Sequence, residues 1–441
     1  MGEVKRKILL LSAGDVNGAY EAIYRLGLLF EEEGHQVSML VKSKTQSKDF
    51  IIPYKIPYQH YKKKSIWLRI FNKIESKIKV KPKAQTTSIL FDPNYDFISI
   101  DETNTNVDSE QIIKLIGFVP EFIYTGMTTG FMNSTDLLNL QQLTNAQVYN
   151  ITVDMNHFTG GCHFAWDCKG YINGCDTYCP AVLSPVGKKI PKINFETKLK
   201  NAQLGNFKII AGSGWTLKQA KESKIYKNQM SVLNINGLID TKLFNTKNKD
   251  ISKRVFDLDK NKFYILMGCQ DANSKRKGFE YLLESLQILA NNLTESQKNR
   301  LEVLIVSRGK INSFDQIPFP KRHIDYVKDY RLLALLYQAI DVFVNPSIED
   351  SGPLMICEAL GCGTPVVGFD MGVVNNMVVT GYNGYKAILK DSNDLAKGIQ
   401  TIFELSIEEY ITYSNNAVKM VEDFSSLDYA KSIFESIHQN S

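Results

Sequence analysis

Two stretches of this 441-residue chain begin in the same way, and together they constrain its fold most strongly. Residues 7–41 start with the apolar run 8–11, pass through a glycine-containing loop into a helical pattern, and end in a second apolar run. Residues 263–292 repeat the strand, the polar loop and the helix. Continuous apolar strands that alternate with helices are typical of parallel sheets covered on both faces. The sequence therefore predicts an α/β protein with two doubly wound parallel sheets.

The spacing of these two units predicts where the domains divide. A chain of this length exceeds one ordinary core, and a polar, turn-rich passage separates the two halves. We expect an N-terminal domain over 1–240, a C-terminal domain over 241–415, and a last helix over 416–441 that crosses back to the first domain. Additional elements of the second half are predicted as strands at 303–307, 342–345 and 365–369 and helices around 330–340 and 353–361.

Residues 350–358, DSGPLMICE, have the pattern of a helix start that can bind an anion. Pro353 suits the first helical position, and Gly352 lets a ligand approach the backbone closely. The N–H groups of Leu354 and Met355 would point out of the helix start, with the positive end of the helix dipole behind them. This arrangement predicts a phosphate or diphosphate site.

Two acids, Asp350 and Glu358, stand at the ends of the same segment. A diphosphate would repel both, whereas carboxylates accept hydrogen bonds from the hydroxyl groups of sugars. Glu358 could accept both hydroxyls of a ribose, and Asp350 could face the sugar beyond the phosphates. The alternative interpretation is that Asp350 caps the helix and Glu358 lies at the surface.

The segment resembles the E-x7-E region of the family-four, retaining glycosyltransferases, which have the GT-B fold. The similarity extends to residues 274–278 (SKRKG), 381–385 (GYNGY) and the hinge passage 236–244. It implies two Rossmann-like domains that face each other across a cleft. It also implies transfer of a sugar from a nucleotide diphosphate-sugar donor.

The resemblance also implies roles for individual residues. Glu358 would bind the donor ribose, Asp350 would lie near the transferred sugar, and Lys277 would neutralise the diphosphate and the leaving group. A solvated Lys277, with a neighbouring cation in its place, is the alternative. The predicted catalytic residues are Asp350, Lys277 and Asp154. The predicted donor-binding residues are Gly18, Arg276, Lys277, Ser351, Gly352, Leu354, Met355 and Glu358. No metal is expected to be required for catalysis, because the helix start and Lys277 already supply positive charge.

Residues 154–163, DMNHFTGGCH, resemble a TGGCH segment of a bacterial polysaccharide-biosynthesis subgroup. Val153 stands where many relatives have a histidine, so that role does not carry over. Asp154 at a strand end is a candidate contact for the acceptor or the donor sugar, and a loop aspartate satisfied by its own backbone is the alternative. For Gly18, close approach of a ligand and a simple tight turn remain alternatives.

A cluster of cysteines follows in residues 157–180. In a reducing compartment such a cluster suggests a structural zinc site. The spacing is looser than in paired C-x2-C knuckles, so separate buried thiols are an alternative, followed by disulfides. The predicted ligands are Cys162, Cys168, Cys175 and Cys179.

The charge of +5 is concentrated between residues 61 and 83, where nine Lys or Arg residues accompany one Glu. The remainder of the chain is net negative, which argues against a nucleic-acid binder. The segment is basic and amphipathic, so it could contact an anionic membrane surface or pack on the core as an ordinary amphipathic helix. The predicted membrane contacts are Lys62, Lys63, Lys64, Trp67, Arg69 and Phe71.

The sequence thus predicts a glycosyltransferase that uses a glycan or lipid-linked acceptor in capsular, exopolysaccharide or lipopolysaccharide synthesis. Its apolar start is too short for a signal peptide, so we expect a cytoplasmic protein, peripheral on the inner face of the plasma membrane. Two rival hypotheses remain open. One is a sugar-nucleotide epimerase on the same fold, and the other is a non-catalytic, membrane-associated subunit that binds a sugar nucleotide.

Overall fold

The computed structural model describes residues 5–16, 18–55, 89–233, 238–352 and 354–439. Within them the chain forms two parallel sheets, one of seven strands and one of six. Helices cover both faces of each sheet, so the apolar strands are buried on both sides. The two-domain, parallel-sheet architecture predicted from the sequence is confirmed.

The first sheet belongs to the N-terminal half. Its strands are β1 (Lys7–Ser12), β2 (Gln36–Val41), β3 (Ile51–Pro53), β4 (Phe122–Thr125), β5 (Gln147–Thr152), β6 (Lys208–Ala211) and β7 (Ser231–Leu233). Their order across the sheet is β3-β2-β1-β4-β5-β6-β7. The helices described in this half are α1 (Gly18–Glu32), α2 (Ser109–Ile116), α3 (Ser134–Thr144), α4 (Gly170–Asn173), α5 (Ile190–Leu204) and α6 (Gly214–Glu222).

Strand β1 explains why this sheet forms where it does. Ile8 and Leu10 pack into the core on one face, whereas Leu9 and Leu11 pack into the core on the other. Alternate side chains of a strand point to opposite faces, so a continuous apolar run suits a sheet covered twice. The helix that follows ends before Gly34, whose positive φ of 77° turns the chain back toward β2.

The second sheet repeats this arrangement. Its strands are β8 (Phe263–Gly268), β9 (Leu301–Ser307), β10 (Lys321–Asp325), β11 (Val342–Asn345), β12 (Val366–Phe369) and β13 (Gly384–Ala387), in the order β10-β9-β8-β11-β12-β13. Its helices are α7 (Lys249–Val255), α8 (Phe279–Asn292), α9 (Glu295–Asn299), α10 (Tyr330–Ala339), α11 (Leu354–Gly361), α12 (Val374–Met377) and α13 (Ser392–Phe403). The 274–278 loop follows β8, and the start of α11 follows β11. These two strands are neighbours in the sheet, so the two segments lie close together at its carboxyl edge.

The C-terminal stretch differs from the single crossing helix predicted over 416–441. It consists of two helices, α14 (Ile407–Phe424) and α15 (Leu427–Gln439). The carbonyl of Ser425 accepts a hydrogen bond of 2.8 Å from the N–H of Ile239, and Ser426 Oγ accepts one of 3.1 Å from the N–H of Tyr429. The first bond satisfies a carbonyl at the end of α14, and the second caps the first turn of α15.

Helix α15 packs on the N-terminal domain. Ala430 and Phe434 join the core that Phe30 and Tyr124 form on one face of the first sheet. The rings of Phe30 and Phe434 lie edge to face at 5.1 Å, and the Tyr124 hydroxyl lies 2.9 Å from Nε2 of His438. The end of the chain is therefore anchored in the first domain by apolar packing and a buried hydrogen bond.

Candidate functional site

The segment between β11 and α11 is fixed by one glycine and by a contact with the other domain. Gly352 has a φ of 152°, and a Cβ at this position would overlap the side chain of Val373. The carbonyl of Ser351 accepts a hydrogen bond of 2.8 Å from the Ser213 hydroxyl at the start of α6. Ser351 and Gly352 therefore hold the path of the chain just before α11 begins, and Asp350 precedes them directly.

Asp350 is brought together with both predicted donor-site cations. Its Oδ2 lies 3.0 Å from Nη1 of Arg276 and also accepts a hydrogen bond from Nζ of Lys277. Burial by itself would raise the pKa of Asp350, but the charges of Lys277 and Arg276 outweigh it and lower the pKa to about 2. Two cations and one ionised carboxylate thus share a partly buried cluster, and its net charge is positive.

Gly278 explains how the 274–278 loop presents these cations. Its φ is 68°, and a Cβ there would overlap the carbonyl oxygen of Pro346. The neighbouring carbonyl of Arg276 accepts a hydrogen bond of 2.8 Å from the N–H of Ile348. A residue with a side chain would force the loop away from the segment that contains Asp350. Gly278 is therefore a geometric requirement of the cluster.

Glu358 has a different environment from the one predicted. It is 2% exposed, and its Oε1 lies 2.8 Å from Nη2 of Arg25 in the N-terminal domain. Its Oε2 accepts a longer hydrogen bond of 3.3 Å from the Tyr337 hydroxyl. Burial raises the pKa of Glu358, and the charge of Arg25 offsets only part of that effect. Both oxygens that could bind a ribose are engaged with protein groups in this structure.

Arg25 connects the two domains through more than one contact. Its Nε lies 3.0 Å from Glu21 on the same helix. Its guanidinium also lies 5.2 Å from the ring centre of Tyr330 and 5.8 Å from that of Phe244, both in the C-terminal domain. We refer to Glu21, Arg25 and Glu358 as the Arg25 clasp. The sequence analysis did not identify Arg25, because nothing in a helix of the first domain indicates a carboxylate partner 333 positions away.

Asp154 is buried at the end of β5 and forms a pair with His163. Its Oδ2 lies 2.5 Å from Nδ1 of His163, and its Oδ1 accepts a hydrogen bond of 2.7 Å from the N–H of Asn156. Burial opposes the ionised form, yet the interaction and hydrogen bond with His163 lower the pKa of Asp154. Nearby, burial lowers the pKa of His157 to about 4, so this imidazole is neutral at pH 7.

The remaining donor-site candidates lie at helix starts. Gly18 is the first residue of α1, and a Cβ there would meet no atom within 4 Å, so its backbone is open to approach. Leu354 and Met355 form the first turn of α11 and are half-buried, and the methyl group of Met355 packs over Gly268. Pro353 lies outside the described residues.

The cysteine-rich segment contacts the 274–278 loop, which the sequence did not predict. The guanidinium of Arg276 lies 4.6 Å from the ring centre of Phe164, and Nζ of Lys275 lies 5.7 Å from that of Trp166. Trp166 is itself held by a hydrogen bond of 2.7 Å from its Nε1 to the carbonyl of Asn94. The N-terminal domain thus supplies aromatic partners for the cations of the C-terminal domain.

The predicted zinc ligands lie close to one another but do not form a completed site. A Cβ at Gly170 would lie 3.2 Å from Sγ of Cys175 and 3.4 Å from Sγ of Cys168. Burial raises the pKa of Cys175 to about 12, and it also raises the pKa values of Cys162 and Cys179. Across the described part of the chain, no group of three or more His, Cys, Asp or Glu side chains is placed to hold a metal ion. Structural zinc stays a prediction.

The predicted membrane contacts cannot be placed, because all of them lie outside the described residues. They are Lys62, Lys63, Lys64, Trp67, Arg69 and Phe71. Among the helices that the structure does describe, none has the length and apolar character needed to cross a membrane. Membrane association therefore stays a prediction.

Solved structures with the same architecture match nearly the whole chain. Sucrose-phosphate synthase from Thermosynechococcus elongatus has a TM-score of 0.63 at 15% identity, over 99% of this chain and 100% of that chain. HepE from Anabaena, solved in complex with UDP-glucose, has a TM-score of 0.59 at 16% identity, over 98% and 100%. WaaG, a glycosyltransferase involved in lipopolysaccharide biosynthesis, has a TM-score of 0.60 at 11% identity, over 97% and 99%. The fold is the two-domain GT-B fold, as predicted.

The C-terminal domain also matches a family by sequence. Residues 263–404 match the family model of group 1 glycosyl transferases. A protein of Haemophilus influenzae, described as an uncharacterized glycosyltransferase, is 23% identical over 153 residues, which are 34% of this chain and 42% of that relative. The match therefore spans less than half of the relative. The chain thus has the GT-B fold, and its C-terminal domain is similar to group 1 glycosyl transferases over residues that include both the 274–278 loop and the two acids of 350–358.

Proposed function

We propose that this protein transfers a sugar from a nucleoside diphosphate-sugar to a glycan or lipid-linked acceptor. The observation that carries the proposal is the cluster of Arg276, Lys277 and Asp350 beside the start of α11. Two cations next to a helix start suit a diphosphate, and an ionised carboxylate between them suits the hydroxyl groups of the attached sugar. UDP-glucose is the first donor to test, because a neighbour of the same fold binds it.

In the proposed reaction the acceptor hydroxyl oxygen attacks the anomeric carbon of the donor. The bond between that carbon and the diphosphate oxygen breaks, its electron pair remains on the diphosphate, and the acceptor proton moves to the departing phosphate oxygen. Lys277 and Arg276 stabilise the charge that develops on the leaving group. Asp350 remains ionised at neutral pH because its pKa is about 2, so it can orient the sugar by accepting hydrogen bonds. Retention of the anomeric configuration follows the family resemblance.

The proposed setting is surface-polysaccharide synthesis at the inner face of the plasma membrane. The basic segment 61–83 would supply electrostatic attraction to anionic lipids. WaaG, which has the same fold, acts in lipopolysaccharide biosynthesis, and this supports a related setting. Asp154 and His163, buried together at the end of β5, are proposed to lie on the acceptor side of the reacting sugar.

A donor screen tests the proposal. The purified protein is incubated with UDP-, GDP- and other nucleotide-sugars plus lipid extract, and released nucleoside diphosphate is measured. We expect release with one donor, dependent on the extract and lost in Asp350→Asn and Lys277→Gln. Lys260→Gln is the matched control, since this exposed lysine of the same domain lies outside the cluster. Equal release without extract would favour epimerisation or hydrolysis, and donor binding without any release would favour a non-catalytic subunit.

We also propose that the four clustered thiols hold a structural zinc ion, which would fix the loop with Phe164 and Trp166 against the 274–278 loop. The proposal is supported by the closeness of two of these thiols, since Sγ of Cys175 and Sγ of Cys168 both lie next to Gly170. Elemental analysis of the purified protein tests this proposal. We expect about one zinc per chain in the parent and loss of the metal in Cys175→Ser. A parent without metal would leave separate buried thiols as the explanation.

A further inference from the structure

The N-terminal domain contains a cavity of about 420 Å³ that the donor site does not use. It opens near the carboxyl ends of β1, β4 and β5, between the segment 98–106 and the start of α3. Ligands of parallel α/β sheets bind at this edge, and the volume lies within the usual range for small-molecule sites. The cavity is large enough for a single sugar ring with a substituent.

The interior of the cavity combines hydrogen-bonding groups with apolar walls. Thr125 Oγ1 donates a hydrogen bond of 2.6 Å to Asn150, whose amide donates one of 2.7 Å to the Tyr226 hydroxyl. Phe131 and Phe207 line the same space. Amide and hydroxyl groups beside ring faces suit a ligand that has hydroxyl groups on an apolar ring skeleton.

The buried charges that line the cavity are already paired. Nζ of Lys198 lies 3.4 Å from Oε1 of Glu102, and the two side chains are 5% and 3% exposed. Lys198 also donates a hydrogen bond of 2.7 Å to the carbonyl of Asn156. His157, which borders the cavity, is neutral at pH 7 because burial lowers its pKa to about 4. A lining whose buried cation is neutralised favours an uncharged ligand over a phosphate.

Two isoleucines mark the mouth of the cavity. Ile98 and Ile100 both line it, yet they are 46% and 56% exposed. Exposed aliphatic side chains next to a polar interior suit a ligand with a polar ring inside and an apolar chain outside. A free, fully polar sugar would leave these two side chains in water.

The cavity adjoins the group proposed for the acceptor side. Thr129 lines it, and Thr129 Oγ1 lies 3.4 Å from Nε2 of His163, which pairs with Asp154. We propose that this cavity binds one uncharged sugar unit of the acceptor, with an apolar aglycone lying across Ile98 and Ile100. The inference rests on the proposed function and specifies its acceptor as a glycolipid-like molecule.

The test uses methyl and octyl glycosides of glucose, galactose and mannose as probes, with the octyl compounds below their micelle concentrations. We expect millimolar binding of at least one methyl glycoside, and about tenfold tighter binding of its octyl counterpart. Ile98→Ser with Ile100→Ser should remove that difference and leave the methyl glycoside unaffected. Leu90→Ser, which changes an exposed leucine outside the cavity, is the matched control and should preserve the difference.

A second variant tests the interior. Thr128→Phe would fill the cavity and should abolish binding of both glycosides. UDP binding is measured on every variant, and an unchanged circular dichroism spectrum with an unchanged thermal midpoint confirms that the N-terminal domain of Thr128→Phe is folded. Glycoside binding that survives Thr128→Phe, or an absence of glycoside binding in a parent that binds UDP, would overturn the inference alone. Glycoside binding in a parent that binds no nucleotide would support the cavity and contradict the proposed donor site.

Discussion

Asp350 and Glu358 lie eight positions apart in one short segment, yet the structure gives them opposite surroundings. Asp350 pairs with two cations of its own domain, Arg276 and Lys277, and its pKa is lowered to about 2. Glu358 is more deeply buried, shares the single cation of Arg25 with Glu21, and has a raised pKa. Asp350 is compensated by two cations of its own domain, whereas Glu358 is compensated by one shared cation of the other domain.

The sequence pattern predicted that both acids bind the donor, whereas the structure gives each acid a different kind of partner. The cations around Asp350 are partly exposed and can exchange a carboxylate for a diphosphate. The cation that pairs with Glu358 comes from the other domain, so a ribose can bind Glu358 only after the Arg25 clasp rearranges. We therefore expect a ligand at the Asp350 end, whereas Glu358 forms an ion pair between the domains in this structure.

The largest expected effect is the loss of stability on Glu358→Ala. This change leaves Arg25 buried with one carboxylate partner fewer, and breaking a buried ion pair costs about 3 kcal/mol. We expect a clearly lower thermal midpoint than for the parent. The triple variant Glu21→Leu, Arg25→Leu, Glu358→Leu should recover part of the loss, because it removes all three charges of the Arg25 clasp together.

The matched control for this change is Glu295→Ala. Glu295 forms an ion pair with Lys298 but is 84% exposed, so its removal should cost less than about 1 kcal/mol. Thermal unfolding followed by circular dichroism measures all four proteins. An equal loss in Glu358→Ala and Glu295→Ala would mean that the Arg25 clasp does not stabilise the domain contact.

The next effect concerns UDP affinity. Removing a cation from the cluster and removing its carboxylate should change that affinity in opposite directions. Lys277→Gln removes a charge-assisted contact to the diphosphate, so we expect affinity to fall by about tenfold to a hundredfold. Asp350→Asn frees both cations from their carboxylate, so UDP should bind about threefold more tightly. Isothermal titration calorimetry measures both. Weaker binding in Asp350→Asn would mean that Asp350 positions the cations and does not compete with the diphosphate.

Part of the Asp350 end could be predicted from the sequence, because the helix start is a local pattern and the family resemblance implied the role of the 274–278 loop. The helix start, the loop 274–278 and the parallel neighbours β8 and β11 bring Arg276, Lys277 and Asp350 together. The apolar runs likewise predicted the strands, since a strand buried on both faces leaves a strong local signal. Short or polar strands such as β10 and β13 carry a weaker signal and were not predicted.

The Glu358 end could not be predicted, because its partner comes from a distant helix. No periodicity connects Arg25 with Glu358, and a surface position for that acid was a reasonable alternative from sequence alone. The same limit applies to Phe164 and Trp166, whose contacts with the 274–278 loop depend on how the two domains meet. Contacts across a domain interface are set by tertiary packing, which local patterns do not encode.

A smaller effect tests whether the N-terminal domain helps to position the donor cations. Phe164→Leu keeps an apolar side chain but removes the ring face below Arg276, a contact worth about 0.5–1 kcal/mol. We expect UDP affinity to fall about threefold with little change in thermal midpoint. Phe91→Leu is the matched control, because Phe91 stacks on Phe97 in the same region. A similar loss in both variants would indicate general loosening of this region, with no specific role for the ring of Phe164.

The smallest expected effect concerns Glu349, which directly precedes Asp350. Burial, followed by the neighbouring charge of Asp350, raises the pKa of Glu349 to about 7. Its carboxyl group is therefore neutral below that pH and negative above it, and the negative form would repel the bound diphosphate. We expect the affinity for UDP-glucose to fall about threefold between about pH 6 and about pH 8. UDP-glucose is the suitable probe, because its diphosphate does not gain or lose protons in this range.

Glu349→Gln separates this effect from the rest of the cluster. The amide cannot ionise, so affinity should stay constant across the same pH range, near the value that the parent shows at low pH. Glu404→Gln, at an exposed position of the C-terminal domain, should retain the parent's pH dependence. Asp350 cannot produce the change, because its pKa of about 2 keeps it ionised throughout. A pH dependence that persists in Glu349→Gln would assign the titration to a different group.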